Sequence, residues 1–98
     1  MPVEPAHTLA RQWAMLKIIP RSPLKVTTAH LETQLQSDGF AVSRRTIERD
    51  LHTLSAQFPL VLDDRSKPYG WSWAKGASFD FMPRLTPAQG VALLLARA

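Results

Sequence analysis

The chain has 98 residues, 45% of them hydrophobic, which is enough for the core of one small domain. It has no cysteine, so disulfide frameworks, cysteine-based zinc sites and thiol catalysis are excluded, and a reducing cytoplasm is the expected location. Twelve Lys and Arg residues against eight Asp and Glu residues give a net charge of +4, which favours an anionic partner.

The first helix is predicted to begin at Thr8, after a flexible tail over residues 1–7. Its apolar stripe, at helical spacing, comprises Leu9, Trp13 and Leu16. Pro20 ends the helix because proline lacks an amide proton and clashes with the preceding turn. Residues 24–26 follow a short loop and are predicted to be extended, with their leucine and valine on the same side.

The second helix is predicted to be capped by Thr27 or Thr28, since a threonine hydroxyl accepts a hydrogen bond from a free amide of the first turn. Leu31 and Leu35 are expected to form its buried face. Gly39 then stands where a left-handed residue commonly ends a helix.

The third helix is predicted to begin after Ser43, its cap, and to end at Pro59 at the latest. At about 100° per residue, its apolar residues lie within about 60° of one another. These residues are Ile47, Leu51 and Leu54. The opposite side, equally narrow, has Arg45, Arg49 and His52. The helix therefore has one apolar face and one cationic face.

A β-hairpin is predicted next, from an apolar run over residues 60–62, a polar turn over 63–68 and an alternating segment over 69–73. The face expected to turn inward comprises Tyr69, Trp71 and Trp73. Residues 76–83 are predicted to be a linker. A capping box at residues 86–89 then starts a last helix, whose apolar residues have no predicted partner. They are Val91, Leu94 and Leu95.

This order of elements is the plan of a winged helix-turn-helix, so the predicted fold class is α+β and mainly α. The domain is expected to span residues 8–75, with three helices and a β-hairpin wing, followed by a linker and a C-terminal helix. In this plan the third helix, residues 43–55, enters the major groove of DNA. The wing, residues 63–68, lies on the DNA backbone or in the minor groove.

The candidate base-reading residues are Arg44, Arg45, Arg49 and His52. The planar fork of arginine matches guanine O6 and N7 as well as phosphate oxygens. However, any surface helix has a polar face, and Glu48 or Asp50 is able to pair locally with these arginines and cancel part of their charge. Asp50 lies off the outer face, so it is expected to hold Arg49 or an amide in place.

Candidate contacts to the DNA backbone come from the start of the second helix and from the wing turn. A helix N-terminus with hydroxyl groups suits phosphate oxygens. The residues are Thr27, Thr28, His30, Arg65 and Lys67. Capping explains the threonines equally well, and turn residues are polar in most proteins. The three tryptophans are expected in the core rather than as base-stacking platforms.

Residues 42–54, which read VSRRTIERDLHTL, resemble the S-x-R-T-I-x-R-D-L-x-x-L recognition segment of DeoR-type winged helices. The continuation through residues 58–60, 68–71 and 83–89 is similar to the N-terminal region of bacterial WYL-domain transcriptional regulators. The likeness covers residues 9–98.

The resemblance implies a cytoplasmic, nucleoid-associated and usually dimeric DNA-binding regulator. It implies that Ser43 caps the recognition helix, that Arg45 and Arg49 face the DNA, and that Ser43 and Thr46 contact phosphates. No WYL segment follows, so the chain is either a stand-alone relative or a fragment whose residues 76–98 lead toward an absent sensor domain. The unpartnered apolar face of the last helix favours the fragment, and effector sensing is assigned to no residue here.

The function predicted is that of a sequence-specific DNA-binding module, which acts as a homodimer on an inverted repeat in double-stranded DNA. The alternative is a winged helix that binds another protein through its terminal helix, Trp71 and Trp73. An enzyme is not expected, because His7, His30 and His52 lie on separate segments and no glycine-rich phosphate loop is present. No cofactor, metal or membrane contact is predicted, since the longest apolar run has six residues, against about 18 for a membrane span.

Overall fold

The computed structural model describes residues 5–77 and 84–97 of the chain. These residues form four helices and one antiparallel hairpin, in the order α1 (Pro5–Ile18), α2 (Thr28–Ser37), α3 (Arg44–Ser55), β1 (Leu60–Asp63), β2 (Gly70–Trp73) and α4 (Pro87–Arg97). The fold is α+β and mainly helical, with a winged-helix-like arrangement followed by a C-terminal helix, as the sequence predicts. Most of the predicted linker, residues 78–83, lies outside the described residues, as do residues 1–4 of the predicted tail.

Helix α1 begins at Pro5 rather than at the predicted Thr8, so residues 5–7 belong to the helix and not to the tail. Proline is compatible with a first helical turn because an amide proton there has no partner within the helix. The helix ends at Ile18, before Pro20, as predicted. Its stripe is confirmed in part, since Trp13 and Leu16 are buried while Leu9 is half-buried.

Side-chain caps begin helices α2 and α3 as the sequence predicts. The Thr27 hydroxyl accepts a hydrogen bond from the His30 amide at 3.1 Å, and the Ser43 hydroxyl accepts one from the Thr46 amide at 3.3 Å. Gly39 follows α2 with a φ of +94°, a left-handed conformation that glycine adopts without strain. These local signals fix where the two helices start and where the turn between them lies.

Strand β2 is paired on both sides. It runs antiparallel to β1, with Leu60 opposite Trp73. On its other side the Val26 amide donates to the Trp71 carbonyl at 2.9 Å, and the Trp71 amide donates to the Val26 carbonyl at 2.8 Å. The Trp73 amide donates to the Pro20 carbonyl at 2.7 Å. The base of the hairpin is therefore attached to the segment between α1 and α2.

This double pairing corrects two predictions about the extended segments. Leu24 and Val26 do not share a side, because Val26 is buried against β2 while Leu24 is 69% exposed. Tyr69 precedes β2 and is 49% exposed, so only Trp71 and Trp73 of the predicted aromatic face are buried. Ser72, between them, is buried as well, since β2 is covered along its whole length.

The hydrophobic core lies among α1, α2, α3, β2 and α4. Side chains with almost no exposed area come from each of the four helices; they are Met15, Leu16, Leu31, Leu35, Ile47, Leu51, Leu54 and Leu94. The predicted buried residues of the second and third helices are all confirmed. The three tryptophans also belong to the core, as predicted.

Helix α4 packs against α1, which corrects the prediction that its apolar residues have no partner. Leu94 is only 2% exposed, although Leu95 remains 59% exposed. The capping box is confirmed, because the Thr86 amide donates to Gln89 Oε1 at 2.9 Å and the Gln89 amide donates to the Thr86 hydroxyl at 3.2 Å. The end of α4 is held by Arg97, whose guanidinium donates to the Gln57 carbonyl at 3.0 Å.

Gly90 is buried at the crossing of α4 and α1, where the helices approach closely. A Cβ atom at this position would overlap the indole ring of Trp13. We therefore expect Gly90→Ala to lower the free energy of unfolding by about 1–3 kcal/mol, because overpacking outweighs the better helix propensity of alanine. Urea unfolding followed by tryptophan fluorescence measures the change. Ala92→Ser, on the exposed side of α4, is the control and should change the unfolding free energy by less than about 0.5 kcal/mol; a stabilised Gly90→Ala variant would contradict the close packing.

Candidate nucleic-acid interface

Helix α3 presents one face to the core and the other to solvent. Its inner residues Ile47, Leu51 and Leu54 are at most 1% exposed. Arg45, Arg49 and His52 are exposed on the opposite side, as the amphipathic pattern predicts. The helix is therefore held by its apolar face and leaves its cationic face accessible.

Asp50 fixes α3 to α1 through a buried network of hydrogen bonds. Arg11 Nε donates to Asp50 Oδ2 at 2.6 Å, and Arg11 Nη2 donates to Oδ1 at 3.2 Å. The side-chain amide of Gln12 also donates to Oδ1 at 3.2 Å. Each of these three residues is at most 7% exposed. The predicted positioning role of Asp50 is thus confirmed. Of its two predicted partners, Arg49 or an amide, the structure shows an amide, that of Gln12, together with Arg11 on α1.

Arg44, in the first turn of α3, reaches across to α2. Its Nε lies 3.1 Å from Glu32 Oε1, and its side chain remains 60% exposed. Local pairing of the α3 arginines with Glu48 or Asp50, the alternative that the sequence leaves open, is not found among the described residues. In the described part of the chain, the side chains of Arg45 and Arg49 form no ion pair, and both residues are exposed.

His52 lies where α3 meets the hairpin. Its ring stands edge-on to Trp71, with 5.9 Å between the ring centroids and 87° between the ring planes. Next to this contact is a cleft of about 200 Å³ between α3, the start of α2 and the hairpin. Its lining consists of Thr28, Glu48, His52, Leu62, Tyr69 and Trp71. We call it the helix–wing cleft.

The wing turn contains the two cations predicted to contact the DNA backbone, and they differ in whether a carboxylate pairs with them. The Arg65 side chain is 84% exposed, but its guanidinium donates to both carboxylate oxygens of Asp63, at 3.1 and 3.0 Å. The Arg65 amide also donates to Asp63 Oδ1 at 3.2 Å, and Lys25 Nζ lies 3.8 Å from Oδ2. Lys67 is exposed and has no ion-pair partner in the described segments. Of the two wing cations, Lys67 is therefore the one without a carboxylate partner among the described residues.

The hydrogen bonds from Arg65 lower the pKa of the Asp63 carboxyl to about 2. The side-chain donor makes the largest contribution, followed by the backbone amide. Because this pKa lies below the ordinary value of 3.8, the pair contributes stability above pH 3.8 and loses it as the pH falls toward 2. The Asp63–Arg65 pair is therefore intact at neutral pH.

The candidate backbone residues on α2 and α3 lie at the two helix starts. The hydroxyls of Thr27 and Ser43 cap their own helices, Thr28 and Thr46 are half-buried, and His30 is exposed. Thr28 borders the helix–wing cleft opposite His52, so the start of α2, the face of α3 and the hairpin meet at one surface. Sequence reasoning missed Glu32, Asp63 and Arg11 as the acidic and basic partners that orient this surface.

Three further observations concern other classes of function. Trp71 and Trp73 are 9% and 6% exposed, so they do not form the docking surface expected under the protein-binding alternative. Among the residues that the structure describes, no helix is long and apolar enough to cross a membrane. In the same segments no three His, Asp or Glu residues are grouped so as to hold a metal ion.

Comparisons of the chain with family models, with curated proteins and with solved structures find no match.

Asp50→Ala should lower the free energy of unfolding by about 3–5 kcal/mol, because it leaves the Arg11 guanidinium buried without its counter-charge. Urea unfolding measures the loss. The double variant Arg11→Met with Asp50→Leu removes both charges and should lose less than Asp50→Ala alone. Arg11→Met and Asp50→Leu are also made singly; a double variant that loses the sum of these two single losses would show that Arg11 and Asp50 do not interact.

The Asp63 carboxyl should titrate near pH 2 in an NMR measurement of its side-chain carbon, and its pKa should rise in Arg65→Ala. A partial rise is expected because the backbone amide at position 65 remains as a donor. An Asp63 pKa that is equal in the two proteins would contradict the guanidinium contact.

Proposed function

We propose that this chain is a sequence-specific DNA-binding module of a bacterial transcriptional regulator. In this proposal α3 lies in the major groove, and the wing contacts the DNA backbone or the minor groove. The observation that carries the proposal is the exposed face of α3, where Arg45 and Arg49 form no ion pair with any described carboxylate. The resemblance of residues 42–54 to DeoR-type recognition segments supports the same function.

Each arginine of this face is chemically suited to a contact in a DNA groove. Arginine donates two parallel hydrogen bonds to guanine O6 and N7, or to two phosphate oxygens. Arg45, near the start of α3, is proposed as the principal base-reading residue, with Arg49 and His52 beside it. Arg44 is proposed as a secondary reader, because its contact with Glu32 directs its Nε toward α2.

Contacts to phosphates are proposed from the helix starts and the wing. The residues are Thr27, Thr28, His30, Ser43, Thr46, Arg65 and Lys67. Among the wing cations Lys67 has the larger role, since Arg65 must share its guanidinium with Asp63. Phosphate contacts of this kind supply affinity for every sequence, whereas the base edges supply discrimination.

One α3 covers only half of a binding site, so a homodimer on an inverted repeat is proposed, with half-sites about 34 Å apart. A cytoplasmic location follows from such a function in a bacterium. The resemblance to WYL-domain regulators further suggests that an effector would act through a separate domain and not through the residues of this one.

Protein binding without DNA binding is the second candidate. The observation that favours it is a group of exposed apolar side chains on and beside the hairpin, namely Val61, Leu62 and Tyr69. Association with a partner that is insensitive to salt, in a chain that does not bind DNA, would support this candidate instead.

Selection from a random DNA pool, read by sequencing, tests the DNA-binding proposal with wild type, Arg45→Ala and Lys67→Ala in parallel. Arg45→Ala should cost ~1–3 kcal/mol on the preferred site and relax the base preference at one position. Lys67→Ala removes the same charge from the wing, so it should weaken all sequences alike and reduce the salt dependence by about one unit.

Three results would contradict parts of the proposal. An Arg45→Ala variant with unchanged base preference removes Arg45 from the reading role. A sequence-selective loss in Lys67→Ala shows that the wing reads bases. A wild-type chain that enriches no sequence, and whose binding disappears at moderate salt, has only a basic surface and is not a sequence-specific module.

A further inference from the structure

Glu48 places a negative charge on the otherwise cationic face of α3. At about 100° per residue, four exposed side chains of this face lie within roughly 100° of one another. They are Glu48, His52, Arg45 and Arg49. Glu48 stands at the wing side of the face, where it lines the helix–wing cleft.

The Glu48 carboxylate has no ion-pair partner among the described residues, although three arginines lie on the same helix. Arg44, one turn earlier, donates to Glu32 of α2 instead. The nearby wall of the cleft, formed by Leu62, Tyr69 and Trp71, gives Glu48 no hydrogen bond within the described segments. Both carboxylate oxygens are therefore free to accept hydrogen bonds from a ligand.

At a surface that binds DNA, an unpaired carboxylate lowers the affinity for every sequence, because phosphates repel it. The repulsion is offset only if the carboxylate accepts a hydrogen bond, since an ionised carboxylate has no donor. In the major groove the base donors are the amino groups of cytosine and adenine. Adenine presents its N7 acceptor beside the amino group, whereas the cytosine amino group has no acceptor next to it on the same base. Cytosine is therefore the base that suits Glu48.

We infer that Glu48 is a specificity-determining residue that accepts a hydrogen bond from cytosine N4 at one position of the binding site. The inference rests on the proposed function. Glu48 also discriminates against guanine and thymine at that position, because their major-groove edges offer the carboxylate no hydrogen-bond donor. The arginines thus recognise guanine, whereas Glu48 recognises cytosine. The order of positive and negative side chains along α3 therefore determines the order of guanine and cytosine in the preferred site.

Selection from a random DNA pool with the full chain tests this role, using wild type, Glu48→Gln and Asp38→Asn. Wild type should enrich cytosine at one position. Glutamine pairs with adenine N6 and N7, so Glu48→Gln should shift that position from cytosine toward adenine and leave the others unchanged. The preference for cytosine over adenine should fall at least about fivefold.

Asp38→Asn is the matched control, because it makes the same change of charge at an exposed residue that ends α2. It should leave the preference at every position unchanged. A Glu48→Gln variant that reads every position as wild type does, with no more gain in overall affinity than Asp38→Asn, overturns the inference and leaves the proposed function in place. A wild-type chain that enriches no sequence overturns both.

Discussion

The contact between Arg11 and Asp50 determines the orientation of α3 relative to α1. Apolar packing alone allows a helix to rotate or slide, because hydrophobic attraction has no preferred direction. The two hydrogen bonds from one guanidinium to one carboxylate, at 2.6 and 3.2 Å, have a fixed geometry and admit one orientation. Since burying two charges is costly, such a pair adds less to the net stability than its short distances suggest. Its main consequence is that the opposite face of α3 points in a defined direction.

The position of the hairpin is fixed differently, by the backbone pairing of β2 with the segment after α1. Hydrogen bonds between Val26 and Trp71 fix the base of the wing, and the indole of Trp71 then contacts the ring of His52 on α3. The same tryptophan therefore relates the wing to the helix face. Trp71 is therefore one of the residues that set the spacing between α3 and the wing across the helix–wing cleft. Lys25 adds a long hydrogen bond to the wing turn, in which its Nζ donates to the Ser66 carbonyl at 3.4 Å.

Local features of the fold followed from the sequence, whereas the partners of buried polar groups did not. Caps at Thr27 and Ser43 and the stripe on α3 depend on residues within one or two turns, so their patterns predict them. Asp50 and Arg11 are 39 positions apart, and nothing local to either identifies the other. A helical projection does place Asp50 beside Leu54, at the edge of the apolar stripe, which indicates a buried carboxylate in need of a cation. The burial of Leu94 depended in the same way on a distant surface, that of α1.

The cations of α3 and the wing turn divide into those that bind a carboxylate of the chain and those that bind none in the described segments, and this division is more informative than the net charge of +4. Arg44 and Arg65 belong to the first group. Arg45, Arg49 and Lys67 bind none in the described segments, and they lie on α3 and the wing turn, the elements that a winged helix uses to contact DNA. Pairing within the chain also affects the groups beside these cations. Because Arg44 pairs with Glu32, it does not pair with Glu48. The carboxylate of Glu48 and the guanidinium groups of Arg45 and Arg49 are therefore exposed separately on one face of α3. A surface with both arginines and a carboxylate discriminates between base edges better than a uniformly basic surface does. Arginine pairs with base acceptors and not with base donors, whereas a carboxylate pairs with donors and not with acceptors.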